Sequence, residues 1–300
     1  MIYTQISSNK RKTALLITVF LVLIIGLGYL FSYQLRNPGI LLFAVIFSIG
    51  MSLISYFYSD KIVLAMSKAK EITRQSHPEL YRIVENLCIT AGLPTPKIYV
   101  IDDTALNAFA TGRDPKHAVI AFTTGILDKL DENELAGVAA HELSHIGNYD
   151  IRLSTIIVVL VGIIALLSDW FLRISFWGGG RRDRNGGQIG AILAIVGVIL
   201  AILSPIIATI IQLAISRQRE YLADSSGVML TRYPKGLASA LRKLAGDREP
   251  LEVANKATAH LYIVNPLKQL HGQPRGWFAN LFSTHPPLEE RIKRLEDTSS

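Results

Sequence analysis

The chain has almost no cysteine. Cys88 stands alone among 300 residues, which excludes an internal disulfide and any metal site built from several thiolates. It falls within an apolar helical pattern and is expected to be a buried thiol. Charge is scarce too: Asp, Glu, Lys and Arg make up 18% of the residues against 50% hydrophobic, and mean hydropathy is positive. That is too apolar for an ordinary soluble domain. The basic residues are not interleaved with aromatics as on a nucleic-acid-binding surface, so that partner class is set aside. No internal repeat or low-complexity tract is visible beyond Gly178-Gly179-Gly180.

What is present instead is a set of four uncharged apolar runs. Thr13–Tyr33 follows Lys10-Arg11-Lys12, and Asn37–Ser59 is closed by Asp60-Lys61. Both are long enough to span a hydrocarbon core as helices. The first is too long for a signal peptide and shows no small-residue cleavage site, so it is expected to be a retained anchor. Leu153–Ser168 is shorter, with Trp170 and Phe171 beside it as interfacial anchors, and Asn185–Ser216 carries Pro205 as a kink. These two form a second hairpin, transmembrane on the favoured reading and re-entrant or partly protein-buried as the alternative, because Leu153–Ser168 is marginal in length. Of the formal charge of +7, Lys10, Arg11 and Lys12 before the first run, and Lys61, Lys68, Lys70 and Arg74 after the second, place both flanks on the cytoplasmic side. Arg173, Arg181, Arg182 and Arg184 break that rule if the second hairpin spans, which favours the re-entrant alternative.

Chemistry concentrates in His141-Glu142-Leu143-Ser144-His145. On a helix, positions i and i+4 share a face, so two imidazoles can address one ion. Zn²⁺ suits such donors. Glu142, rotated off that face, can take a proton from a zinc-bound water and deliver it to a leaving amine, the chemistry of metal-assisted hydrolysis. The helix itself is well signalled. Asp131 is a good N-cap, Glu134 completes a capping box, and Leu135, Val138 and Ala139 supply an apolar stripe.

Around this helix the pattern is mixed. His77-Pro78 opens an amphipathic helix to about Ala91, with Leu80, Ile83, Val84, Leu87 and Cys88 as its core face. Lys97–Ile101 and Ala118–Phe122 are short strands. Between them, Asn107-Ala108-Phe109-Ala110-Thr111-Gly112 is either a sheet edge that accepts an extended peptide or an ordinary strand and turn. Helices are expected over Arg217–Leu230, Pro234–Ala245 and Leu288–Leu295, the last with alternating charge.

A hydrolytic zinc needs three protein ligands and one open position. Glu220, four residues past the fourth apolar run, is the best third ligand, because a hairpin that enters and leaves on one side returns it beside His145. Asp224, at i+4, can accept the free ring N–H of a ligating histidine. Alternatively, Glu220 and Asp224 pair only with Arg217 or Arg219.

The segments His141–His145, Asn148, Asp150 and Arg217–Asp224 resemble the HtpX family of membrane-integral zinc metalloproteases, relatives of the CAAX prenyl endoproteases. The resemblance extends to Asn107–Gly112, to Thr284-His285-Pro286-Pro287 and to the order of apolar runs, covering nearly the whole chain. It implies one Zn²⁺ per subunit held by His141, His145 and Glu220, with Glu142 catalytic and Asp224 supporting a ligand. It places His285 near the active site, where an imidazole can steady the oxyanion of the tetrahedral intermediate; from sequence alone His285 is as easily a turn residue before the last helix. It further implies a multi-pass protein of the bacterial cell membrane with a cytoplasmic active site, clearing misfolded or damaged membrane proteins, often under stress.

The expected fold is mostly α with a small β-sheet (α+β), a zincin-like metalloprotease domain interrupted by membrane helices. Its divisions are an N-terminal hairpin (1–60), a first catalytic part (61–153), a second hairpin (154–216) and a second catalytic part (217–300). Expected partners are the lipid bilayer and membrane-protein or unfolded polypeptide substrates. Asn107, Ala108, Phe109 and Ala110 are the candidate substrate-binding residues. Two rivals stand beside this reading. One is a narrower CAAX-type endoprotease, for whose chamber four apolar runs are few. The other is a membrane scaffold or sensor with a structural zinc, which would need a fourth protein ligand.

Overall fold

The structure, a computed structural model, describes residues 2–34, 36–177, 197, 217–253, 258–259, 261–264, 266 and 286–298. Two helices open the chain, α1 (Ile2–Gln34) and α2 (Pro38–Met66). Asn37 caps α2 through a 3.0 Å bond from the Gly39 N–H, with Pro38 in the first turn, where a missing N–H costs nothing. Among the described residues, these two helices are long and apolar enough to cross a membrane, each over 29 residues. That is roughly 43 Å of helix against a hydrocarbon core of roughly 30 Å. Ser48, Ser52, Ser55 and Ser59 form one buried stripe along α2, and such small residues let neighbouring helices approach closely.

A four-stranded sheet follows: β1 (Lys70–Glu71), β2 (Lys97–Ile101), β3 (Ala108–Gly112) and β4 (Ala118–Thr123), in the order β1-β2-β4-β3. β2 and β4 are parallel and the other two pairings antiparallel. The expected strands appear where the β-branched residues placed them, and the Asn107–Gly112 stretch supplies an edge strand. Alternation along the strands serves two cores. Ala108, Ala110, Ala118, Ile120 and Phe122 face one that also holds α3 (Pro78–Ala91) and α5 (Glu132–Gly147). Phe109, Val119 and Ala121 face another, shared with Val63 and Leu64 of α2 and with Tyr262. A sheet covered on both faces carries near-continuous apolar strands, which is why β3 and β4 are buried throughout.

After the short α4 (Thr124–Lys129), α5 starts at the expected capping box: Glu134 N–H donates to Asp131 Oδ1 and Asp131 N–H to Glu134 Oε2, both at 2.9 Å. Tyr149 then adopts a left-handed φ of 60°, a conformation that costs a non-glycine residue about 1–2 kcal/mol. The chain turns there, and α6 (Asp150–Trp177) departs at 81° to α5. The Leu153–Ser168 run lies inside this single helix. Its Ile156, Val159, Leu160 and Ile163 pack against Phe20 and Ile24 of α1 and Ala44 of α2. The Asn185–Ser216 run lies outside the described residues.

The last described helices are α7 (Arg217–Thr231), α8 (Pro234–Gly246) and α9 (Leu288–Asp297). Two glycines set how closely α7 and α8 approach α5. A Cβ on Gly227 would lie 3.2 Å from the backbone nitrogen of His141, and one on Gly137 only 2.7 Å from that of Leu237. Because the Gly137 obstacle is backbone rather than a flexible side chain, Gly137→Ala must push α8 off α5. The expected loss is about 1–3 kcal/mol, read as a lower unfolding midpoint in detergent; an unchanged midpoint would show that the two helices separate freely.

Candidate metal centre

His141 and His145 sit one turn apart on α5, and Glu220 projects from the first turn of α7. Their ligating atoms converge within 4.8 Å of one another. The two Nε2 atoms are 3.2 Å apart; Glu220 carboxylate oxygens lie 3.7 Å from His141 Nε2 and 3.5 Å from His145 Nε2. Each imidazole is anchored from behind. His141 Nδ1 is 2.9 Å from Asp224 Oδ1, and His145 Nδ1 is 3.0 Å from Asp150 Oδ2. An ionised carboxylate only accepts, so Nδ1 carries the proton in both rings and the Nε2 lone pairs face each other.

Two lone pairs at that distance require a positive charge between them. The surrounding charge inventory says the same. Glu142, Asp150, Glu220 and Asp224 are all buried, and among the described residues only the guanidinium groups of Arg219 and Arg291 are buried with them. Four carboxylates against two guanidinium groups leave a deficit of two charges, which one divalent cation closes. The donor set of two imidazoles and a carboxylate therefore fits a metal ion.

Without the metal, a proton takes its place. Burial opposes charge on His145, yet the hydrogen bond to Asp150 and the carboxylates of Glu220, Asp150 and Glu142 prevail and push its pKa up to about 9. Burial holds His141 below the usual histidine range despite its bond to Asp224, with Arg291 acting in the same direction as burial. Burial also raises Glu142 to about 7, assisted by Glu220 and opposed by His145 and Arg291. Its carboxylate accepts a hydrogen bond from the Ala110 N–H of β3.

Arg291 was not legible as part of this site. Its helix carries alternating charge, which signals a solvated face, yet its side chain is fully buried. Its Nη2 and Nε donate to the two Asp224 oxygens at 2.7 and 2.9 Å, a bidentate pair, while Nη1 lies 3.6 Å from Glu220. Burial opposes the charge on Asp224, but Arg291 and His141 together hold its pKa down to about 2. One signal could have found Arg291: it shares a face with Leu288 and Leu295, where a solvated charge does not belong.

The other sequence-predicted residues are placed as follows. Asp224 pairs with His141 and Arg291, not with Arg217 or Arg219; Arg219 instead reaches Asp150, at 3.5 Å. Phe109 turns away from the metal cluster and packs edge-to-face on Tyr262. Asn107 and Ala108 already have partners: Asn107 Nδ2 donates to the Val264 carbonyl, and Ile263 N–H to the Ala108 carbonyl, both at 2.9 Å. Of the outward-facing residues of that edge, Ala110 is the one aimed at Glu142. His285 lies outside the described residues.

The arrangement matches known proteins over most of its length. Residues 74–299 match Peptidase family M48. The chain belongs to peptidase family M48. It is 47% identical over 297 residues to a protease HtpX homolog of Tropheryma whipplei (strain Twist), covering 99% of this chain and 98% of that one. It is 49% identical over 296 residues to a protease HtpX homolog of Dictyoglomus thermophilum, covering 98% and 93%. The crystal structure of S. mikatae Ste24p superposes with a TM-score of 0.50 at 20% identity, over 94% of this chain and 65% of that one; this likeness concerns the fold, and the chain spans about two thirds of that protein's length. As an M48 member with two apolar helices, the chain is a membrane metalloendopeptidase.

A pH dependence follows from His145. A metal must displace the proton that burial-opposed carboxylates hold there up to about pH 9. Divalent-metal affinity should therefore rise about tenfold per pH unit between 7 and 9 and level off above, with one proton released per ion. The same proton stabilises the metal-free fold, since the folded pKa lies above the unfolded one; that contribution is complete below about 6.5 and disappears as pH rises through 9. Chelator competition and calorimetry in buffers of different ionisation enthalpy measure both. An affinity flat from pH 7 to 9 would show that His145 is not protonated before binding.

Proposed function

We propose that this M48 peptidase is a zinc endopeptidase that cuts extended segments of misfolded or damaged membrane proteins at the cytoplasmic face of a bacterial cell membrane. The observation that carries it is the placement of Glu142: buried beside His141, His145 and Glu220, off their ligating face, and bonded to the edge of β3. His141, His145 and Glu220 would hold the ion, and three ligands leave the open position that hydrolysis needs. When bound, Zn²⁺ supplies Lewis acidity toward the scissile carbonyl and lowers the pKa of water.

The chain's own residues do the rest. Asp224 and Asp150 fix the ring orientations of His141 and His145, and Arg291 keeps Asp224 ionised. Glu142 takes the proton of the attacking water and hands it to the departing amine. The substrate backbone lies along β3 at Ala110, whose N–H and C=O face away from β4, and it replaces the Glu142 carboxylate on that N–H, leaving Glu142 to the water. His285, which precedes Pro286 in the sequence, is proposed as the oxyanion partner.

Orientation and organisation are part of the same proposal. Asn9, next to Lys10-Arg11-Lys12, touches Asp150 of the metal centre, so the active site lies on the basic flank of the membrane hairpin, the cytoplasmic side by charge bias. Parts 61–153 and 217–300 make one catalytic body, with 1–60 and 154–216 as its membrane hairpins.

Glu142→Gln tests the reading. The full-length protein in detergent should keep its zinc stoichiometry and lose cleavage of an unfolded polypeptide by about 10²–10⁴-fold. Cleavage at the parental rate would remove Glu142 as the base, and loss of zinc would make it a ligand instead.

A further inference from the structure

The network behind His145 does not end at Asp150. The second oxygen of that carboxylate, Oδ1, accepts a 2.7 Å hydrogen bond from Asn9 Nδ2, and Arg219 Nη1 lies 3.5 Å from it. Asn9 belongs to α1, 141 residues earlier in the chain. It is 1% exposed, and its amide is used in full: Nδ2 donates also to the Asn148 carbonyl at 3.0 Å, while Oδ1 accepts from Arg219 at 3.3 Å. One side chain of the first membrane helix thus bonds the α5–α6 corner, the start of α7 and the carboxylate that orients a candidate ligand.

Two further observations show that this contact is built into the helix. Asn9, Thr13, Phe20 and Ile24 are spaced by four, seven and four residues, one face of a helix, and all are buried; Phe20 and Ile24 continue the stripe along α6. α1 is therefore held in register against α6 with Asn9 at the corner. Next to it, the Lys10 ammonium sits 5.0 Å from the ring centroid of Tyr149, with Arg152 at 5.1 Å from the same ring. Tyr149 is the residue in the left-handed conformation, and these cation–π contacts hold it there.

We propose that Asn9 is a positioning residue of the metal centre: the first membrane helix fixes Asp150, Asp150 fixes the His145 ring, and the helix is thereby part of the active site in addition to an anchor. A carboxylate bonded through one oxygen only can rotate about its last torsion; bonds to Oδ1 from Asn9 and Arg219 remove that freedom and leave Oδ2 aimed at His145 Nδ1. The proposal rests on the reading of His145 as a ligand.

The test uses the full chain in detergent with Co²⁺ as the probe metal. Asn9→Leu keeps the branched side-chain shape and removes the amide, Asn9→Ala removes both, and Leu15→Ala, at a 63% exposed position of the same helix, serves as control. Three quantities are read: the Co²⁺ dissociation constant by chelator competition, the Co²⁺ visible absorption spectrum, and the unfolding midpoint of the metal-free protein. The expected result is Co²⁺ binding roughly tenfold weaker in Asn9→Leu, the lower end of the cost of removing an outer-sphere partner, with an altered spectrum, a near-parental metal-free midpoint, and no change in Leu15→Ala. An Asn9→Leu protein with the parental affinity and spectrum overturns the proposal. So does one whose metal-free midpoint collapses while its spectrum stays parental, since Asn9 would then serve the fold alone. If Asn9→Ala does not fold, Asn9→Leu decides. Failure of the parental protein to bind Co²⁺ at all would strike the ligand reading itself, and so is distinguishable from failure of the Asn9 link.

Discussion

Everything in this molecule answers to one constraint: two imidazole lone pairs aimed at the same point, in a buried pocket with more carboxylates than guanidinium groups. Such an arrangement is unfavourable unless a cation fills it, and it must be held open against the tendency of His141 and His145 to rotate away. The protein does this from behind. Asp224 and Asp150 fix the rings, and each carboxylate is itself fixed, by Arg291 on one side and by Asn9 and Arg219 on the other. Removing Arg291 strands the buried Asp224 charge, at a cost of about 3–5 kcal/mol. The centre is therefore as much a structural node as a chemical one.

That node explains the order of the helices. α5 supplies two candidate ligands, but their supports come from α1, α6, α7 and α9. The sharp corner at Tyr149 brings Asp150 back onto His145, five residues earlier and across an 81° bend. The apolar helices α1, α2 and α6 pack as one cluster directly beyond that corner. Membrane helices and metal centre thus share a wall, and the close approach at Gly227 and Gly137 closes the opposite side.

Local features of this design were legible in the sequence. The capping box at Asp131 and Glu134, the i+4 pairs His141/His145 and Glu220/Asp224, and the β-branched strands each follow from residues a few positions apart. The parts that were not legible join distant segments. Nothing near Arg291 announces Asp224, 67 residues away, and nothing near Asn9 announces Asp150. Charge alternation pointed the wrong way for Arg291, because a buried arginine and a solvated one differ only in what folds over them. Likewise, the small residues of Asn107–Gly112 signalled close backbone approach, but not that residues 263 and 264 would provide part of it.

This last contact bears on selectivity. An edge strand of five residues offers outward-facing backbone at Ala108, Ala110 and Gly112, yet Ala108 is bonded to Ile263, and the Gly112 N–H lies 3.5 Å from the Thr155 hydroxyl of α6. On the proposed function, strand addition is confined to Ala110, where a peptide must compete with Glu142 for the N–H. A few backbone hydrogen bonds, each worth about 0.5–1.5 kcal/mol net, bind an extended peptide weakly and with little regard to its side chains. On the proposed function, discrimination must then come from elsewhere. A folded substrate cannot present an extended backbone to so short an edge, and a substrate held in the same bilayer gains effective concentration that a soluble one lacks. On the proposed function, weak backbone capture and shared membrane residence would together favour locally unfolded segments of membrane proteins.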